Sequence, residues 1–521
     1  MKAIYSFVFG GLFVLGATAW AEVRPHALFG DHMVLQQGQA VPVWGTADAG
    51  ETVEVAFAGQ KVETEADGDG KWMVKLKPLE ASAEGRELRI DDVVISDVLV
   101  GEVWVCSGQS NMGMTLKKTS DGVEAMAEAD SGAYPNLRLF KVPVDGADEP
   151  RESVDANWEL CDGETTGLFS ATGFYFGRAL NRDLGVPVGL IQAANGGTNA
   201  HSWINNETYR EDDAAEKSRH LFEEAVAAHP AAMERFKAAR ERWDVKAKAL
   251  RAAGKPVKGR APGEPMGPNH VKRPTGHYNA MVAPVQPYAI AGAIWYQGEA
   301  NSRVPYADGY RDLMLALVDG WRADWEAVGG ESGVFPFYVV QLPNFANGDE
   351  WGWPVIREQM MKIWEDGENM GTVVTIDVGD ATDIHPKNKM PVGERLAIFA
   401  RGDAYDEDIV YSGPVFKRLK VKGDTAALSF DHAGGGLKSS DGEALRWFEI
   451  AGEDMEFVPA TAEIKGKRVV VKGDGVTTPV AVRYAWTNNP ENPNFVNAEG
   501  LLASPFRTDE GEIPAPEPQK K

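Results

Sequence analysis

Apolar positions along this chain change their period twice, and each change marks a change of structure. Between residues 22 and about 97, Val53, Val55 and Phe57 alternate with polar neighbours, as do Trp72, Val74 and Leu76. A period of two is the signature of half-buried strands. The turn-forming run Asp67-Gly68-Asp69-Gly70 lies between them and predicts a chain reversal. Residues 22–97 therefore read as a small antiparallel, β-sandwich-like domain with a structural role.

From about residue 98 the pattern becomes near-continuous apolar runs: Val98–Val105, Val186–Ala194, Ile290–Tyr296, Phe335–Leu342 and Thr372–Val378. Such runs fit strands buried on both faces. Amphipathic stretches separate them. One follows the candidate cap Ser170 and carries Phe174, Phe176 and Leu180; others are Tyr310–Trp325, Pro354–Glu365 and Val392–Arg401. Strand–helix alternation predicts a mostly parallel sheet with helices on both faces. The α/β segment 98–407 is interrupted at about 205–275, where Met233, Phe236, Trp243 and Leu250 share one helical stripe. Pro230 should break or kink it, so the insertion reads as a helical hairpin whose stripe is packing surface. After about 408 the period returns to two, at Leu419 and Val421, Val469 and Val471, and Val480, Val482, Tyr484 and Trp486. Residues 408–509 are thus a second β-sandwich-like domain. The proline-bearing tail 510–521 is expected to be disordered.

Composition narrows the function. A net charge of −24 over 521 residues argues against a nucleic-acid partner, which wants a basic face. Lys2, the apolar stretch Phe7–Leu15 and Ala19-Trp20-Ala21 form a signal peptide, residues 1–21, with cleavage expected before Glu22. The mature protein is expected to be secreted or periplasmic, because no later run reaches the length of a membrane span. Export permits a disulfide between Cys106 and Cys161, but sequence leaves their pairing open. Cys106 reads as core filler rather than a nucleophile. No CxxC or HExxH spacing occurs, and neither a metal nor another cofactor is expected.

Four short stretches lie just past predicted strand ends, where open α/β sheets bind ligands. They are Gly108-Gln109-Ser110-Asn111, Asn195-Gly196-Gly197-Thr198, Tyr296-Gln297-Gly298-Glu299 and the run Asp380–Pro386. A serine after a glycine turn is often a helix cap; with a base in reach it is a nucleophile. His385 is the candidate base. Asp383 is the candidate orienting carboxylate and Asp380 the fallback. A metal cluster of Asp377, Asp380, Asp383 and His385 is the weaker alternative. Candidate donors for a tetrahedral oxyanion are the backbone N–H of Ser110, Gly196 or Gly197 and the amide of Gln297.

The motifs GQSNM, GGT, WYQGEAN and DIHPKNK, in this order, resemble those of the sialate O-acetylesterase family within the SGNH/GDSL hydrolases. The flanks MVLQQGQAVPVWG, FSATGFYFGRAL, YNAMVAPV and ASPFRTD extend the likeness over most of the chain. The resemblance implies a flavodoxin-like hydrolase domain between β-sandwich modules. It also implies metal-independent removal of acetyl groups from sugar hydroxyls. By position Ser110 matches the nucleophile, His385 the base, and the GGT glycine and Gln297 the oxyanion hole. Many SGNH enzymes carry aspartate three residues before the histidine; Thr382 stands there in this chain, so Asp383 departs from that spacing. The expected partner is an acetylated sugar or glycan: sialic acid, acetylxylan or another polysaccharide. Asn111, Trp295 and Glu299 are candidate substrate contacts, with Trp351 and Trp353 as further candidates for stacking on sugar rings. Two other classes compete: a non-catalytic glycan-binding protein, and a glycosidase using Glu299 and Asp383.

Overall fold

The computed structural model describes residues 23–303, 306–330, 332–348, 352–509 and 511. The expected signal peptide lies outside the described residues, as do Trp351 and the expected tail apart from Gly511.

The protein is a mixed α/β structure with several sheets, threaded by one long strand, β1 (Val93–Gly108). Its beginning pairs antiparallel with Ser82–Ile90. Its end runs in the middle of a parallel sheet, so the expected boundary at 97/98 falls inside one continuous strand. The other strands of that sheet are β2 (Leu137–Lys141), β3 (Trp158–Leu160), β4 (Val188–Ala194), β5 (Gly292–Tyr296), β6 (Phe337–Val340) and β7 (Met370–Val373). The order is β3-β2-β4-β1-β5-β6-β7, with every pair parallel except β3 with β2. Apolar runs announce β1 and β4–β7. They do not announce β2, where buried Arg138 breaks the run and pairs with Asp97 at 3.0 Å.

Helices cover both faces. On one side lie α1 (Ala171–Leu184) and α5 (Met390–Asp403), whose Phe174, Phe176, Leu180, Leu396 and Phe399 pack around Trp104. On the other lie α3 (Tyr310–Ala327) and α4 (Gly352–Asp366), which bury Leu317, Trp321, Ile356 and Met360. Each such side chain contributes roughly 1.5–3 kcal/mol of burial. Ser170 caps α1, its Oγ accepting from Gly173 N at 3.0 Å.

The insertion differs from a hairpin. After a short helix, Asn206–Glu211, it is dominated by one long helix, α2 (Glu216–Ala252), that continues through Pro230 and is followed by an irregular return segment. Proline costs an interior helix about 3 kcal/mol. Here the return segment braces the helix beside it, with His229 Nδ1 3.1 Å from Met266 O.

Near the N-terminus the alternating residues behave as their period predicts: Val53, Val55, Phe57, Trp72, Val74 and Leu76 are all buried. The C-terminal strands form a seven-stranded antiparallel sheet running from Val415–Lys422 at one edge to Phe506–Arg507 at the other. Val469, Val471, Val482 and Tyr484 are in its core, whereas Val421 and Val480 are exposed. Val421 sits on an edge strand with one neighbour, which leaves its side less covered. Arg357 of α4 fastens this sheet to the parallel one. Fully buried, it donates to Leu342 O (2.8 Å), Pro343 O (2.7 Å), Thr487 O (2.7 Å) and Asn488 O (3.0 Å). Cys106 and Cys161 are both free and buried, and burial raises both thiol pKa values. Among the described residues no helix is long and apolar enough to cross a membrane.

Candidate active site

At the carboxyl end of β1 the chain turns through Gly108 at φ +133°. A Cβ there would lie 2.3 Å from Tyr296 O of β5, so only glycine lets the two strands stay paired. Gln109 N donates to Tyr296 O at 2.9 Å, and a one-turn helix, Ser110–Gly113, begins immediately. Ser110 is its first residue and not its cap, since the cap position is Gln109. The hydroxyl is therefore free of the helix. His385 Nε2 lies 2.8 Å from Ser110 Oγ, closing a gap of 275 positions in sequence.

The histidine sits in the loop after β7. Asp383 Oδ1 accepts from His385 N at 2.9 Å and lies 3.6 Å from His385 Nδ1, beyond hydrogen-bond reach but close enough to attract it. Asp380 faces its own turn instead, with Oδ1 accepting from Thr382 N, Thr382 Oγ1 and Asp383 N. Asp377 is paired with Arg395 at 2.6 Å. The four residues weighed as a metal cluster therefore do not converge. Burial lowers the His385 pKa; the Asp383 carboxylate opposes this, while Lys389 and Arg260 reinforce it. A depressed value keeps the imidazole neutral, the form that accepts a proton.

The glycine loop after β4 comes up against the serine. A Cβ on Gly196 would lie 3.3 Å from Ser110 Cβ. Lys272, on the return segment of the insertion, holds this loop by donating to Gly196 O at 2.6 Å. Among the described residues nothing accepts from the backbone N–H of Ser110, Gly196 or Gly197.

Several expected contacts are corrected. The amide of Gln297 is spent internally: it is fully buried, and Nε2 donates to Thr198 O (2.9 Å) and Asn301 Oδ1 (2.8 Å). Both of its hydrogens are thus used, and neither is left for an oxyanion. Trp295 is fully buried, edge-on to Trp203 and Trp321, with Nε1 donating to Tyr310 Oη. Trp353 is buried likewise, donating to Pro343 O. Neither ring is open to a sugar, because both fill apolar space between helix and sheet. Asn111 and Glu299 are also buried and bonded to each other beneath the serine. That placement removes Glu299 as a glycosidase carboxylate. Sequence reading missed Gln109, Lys272 and Lys389. Lys389, four positions after His385, was the easiest of these to find.

Residues 100–243 match the family profile described as carbohydrate esterase, sialic acid-specific acetylesterase. The chain is 27% identical to mouse sialate O-acetylesterase, over 88% of each chain. It is 26% identical to the human protein of that name, over 95% of each. A crystal structure described as a novel carbohydrate acetylesterase from Xanthomonas citri is 34% identical. It covers 94% of this chain and 100% of its own, with a TM-score of 0.77.

Proposed function

The chain belongs to the sialate O-acetylesterase family and is a carbohydrate O-acetylesterase, a carboxylic ester hydrolase; from this premise we propose that Ser110 and His385 cleave the ester through an acetyl-enzyme. The observation that carries the reading is the 2.8 Å contact between Ser110 Oγ and His385 Nε2. Ser110 Oγ attacks the acetyl carbonyl carbon while His385 Nε2 takes its proton. The carbonyl oxygen becomes an oxyanion, met by the N–H of Ser110 and of Gly196 or Gly197. Collapse breaks the bond to the sugar oxygen, which leaves with the proton from His385. Water, deprotonated by His385, then attacks the carbonyl of acetyl-Ser110; Ser110 Oγ leaves with that proton from His385, and acetate is released. Asp383 steadies the imidazolium electrostatically.

The sheet order supports a flavodoxin-like SGNH arrangement. Without β2 and β3, the last two strands at one end, it reads β4-β1-β5-β6-β7, which is the order 2-1-3-4-5 with the ligand at the switch point beside the first strand. The N-terminal antiparallel strands and the C-terminal seven-stranded sheet support the reading of flanking β modules. The composition of residues 1–21 supports export.

Hydrolysis of p-nitrophenyl acetate and acetate release from acetylated glycans, compared between wild type and Ser110→Ala, test the proposal. Loss of at least roughly a thousandfold in kcat is expected. Equal rates in the two proteins would refute it.

A further inference from the structure

Both neighbours of Ser110 reach down to one buried carboxylate. Gln109 Nε2 donates to Glu299 Oε2, and Asn111 Nδ2 donates to Glu299 Oε1. The same Asn111 nitrogen donates at 3.0 Å to the carbonyl of Ile384, the residue before His385. Asn111 Oδ1 accepts at 2.6 Å from Lys389 Nζ, which is fully buried and lies 4.9 Å over the Tyr296 ring. Asn111 is thus the hinge pin between the turn that carries the serine and the loop that carries the histidine. Its orientation is fixed from both ends, by an acceptor on its nitrogen and a donor on its oxygen.

Folding does not call for this arrangement. A buried carboxylate and a buried ammonium each carry a desolvation penalty of roughly several kcal/mol, and apolar side chains of similar volume often replace such groups without loss. Burial accordingly pushes the Glu299 pKa up and the Lys389 pKa down to about 7, while their mutual attraction works against both shifts. Asp383 and His385 are the other charged or titratable groups that bear on Lys389. What the pair does supply is geometry at Ser110 and His385, and misplacement of a reacting group by about 1 Å can cost roughly a hundredfold in rate.

We propose that Glu299, Asn111 and Lys389 form a buried clamp that sets the distance between Ser110 and His385, making them positioning residues for ester hydrolysis. The inference rests on the roles given above to Ser110 and His385. Glu299→Gln tests it, because an amide offers one acceptor where Gln109 and Asn111 need two, and its NH2 meets a second donor. Lys389→Met removes the donor at the other end.

With p-nitrophenyl acetate, each single variant should lose roughly 10- to 100-fold in kcat. KM should stay within about threefold, and the melting temperature should not account for the loss. Because both residues act through Asn111, the double variant should fall no further than the worse single one. Unchanged kcat, activity that simply follows lost stability, or a multiplicative double loss would each overturn the clamp. Should Glu299→Gln fail to fold, Lys389→Met decides by the same split between kcat and KM. Ser110→Ala run alongside separates the two proposals: wild-type rates in that variant overturn the nucleophile and the clamp with it. An inert Ser110→Ala beside an unimpaired Glu299→Gln overturns the clamp alone.

Discussion

Replacing Asp383 by asparagine measures how much of a triad this site contains. The carboxylate is 3.6 Å from His385 Nδ1, and its side chain is 50% exposed against 30% for the imidazole. With water on one side, the effective dielectric lies between about 40 and 80, which puts the attraction on a protonated imidazole at about 1–2 kcal/mol. That energy is gained mainly as His385 takes up the serine proton, so it appears in the barrier. Loss of about 1–2 kcal/mol corresponds to roughly 5- to 30-fold in kcat/KM. A second effect has a definite sign. Asp383 raises the His385 pKa, so its neutralisation lowers that pKa further. The base then remains neutral to lower pH, and the acid limb of the profile moves down in pH. The assay is kcat/KM for p-nitrophenyl acetate from about pH 5 to 9, for wild type, Asp383→Asn and Asp380→Asn. A loss near the roughly ten-thousandfold of a buried aspartate would refute the electrostatic account. So would an acid limb moving up in pH, or a larger loss from Asp380→Asn.

Two further outcomes follow from burial. Gly108→Ala brings a Cβ to 2.3 Å from Tyr296 O at a backbone φ of +133°, and conformational strain plus overpacking should cost about 2–6 kcal/mol; urea unfolding reads this as a lower midpoint, with esterase activity falling alongside. Acid should also destabilise the fold, because burial holds His26 and His201 at about 4 and His277 at about 3. These residues are neutral when folded and take up protons on unfolding below about pH 6.5, so their contribution is complete above that value and shrinks as pH falls toward 4. The melting temperature measured from pH 7 down to about 4 should drop, with a shallower fall in His277→Gln.

The elements legible in the sequence were those with uniform surroundings. Strands β1 and β4–β7 are covered on both faces, and their apolar runs state this directly. Strand β2 was not legible because Arg138 is buried by pairing with Asp97 of a distant strand. Pro230 does not end the insertion's helix: the lost hydrogen bond and the ring's clash with the preceding turn are local, and helical residues on both sides carry the chain past it. At the site, chemistry-bearing residue types past strand ends singled out Ser110 and His385, which the fold brings together. Direction was not legible. Glu299 stands two residues after Gln297 and Asn111 one after Ser110, yet both turn beneath the turn they were expected to line. A short motif gives proximity in the chain, whereas the face a side chain takes is decided by partners such as Lys389, 278 positions from Asn111.

The guanidinium of Arg357 also bears on how this gene can change. Two of its acceptors, Leu342 and Pro343, belong to the loop after β6, and the other two, Thr487 and Asn488, belong to the loop that follows the strand Ala481–Tyr484 of the C-terminal sheet. A recombination event that exchanged the last hundred or so codons for a foreign module would take away half of a buried cation's company, with no water to replace it. Descent should therefore carry both sheets as a single heritable block, and shuffled descendants should appear only where residue 357 has changed as well.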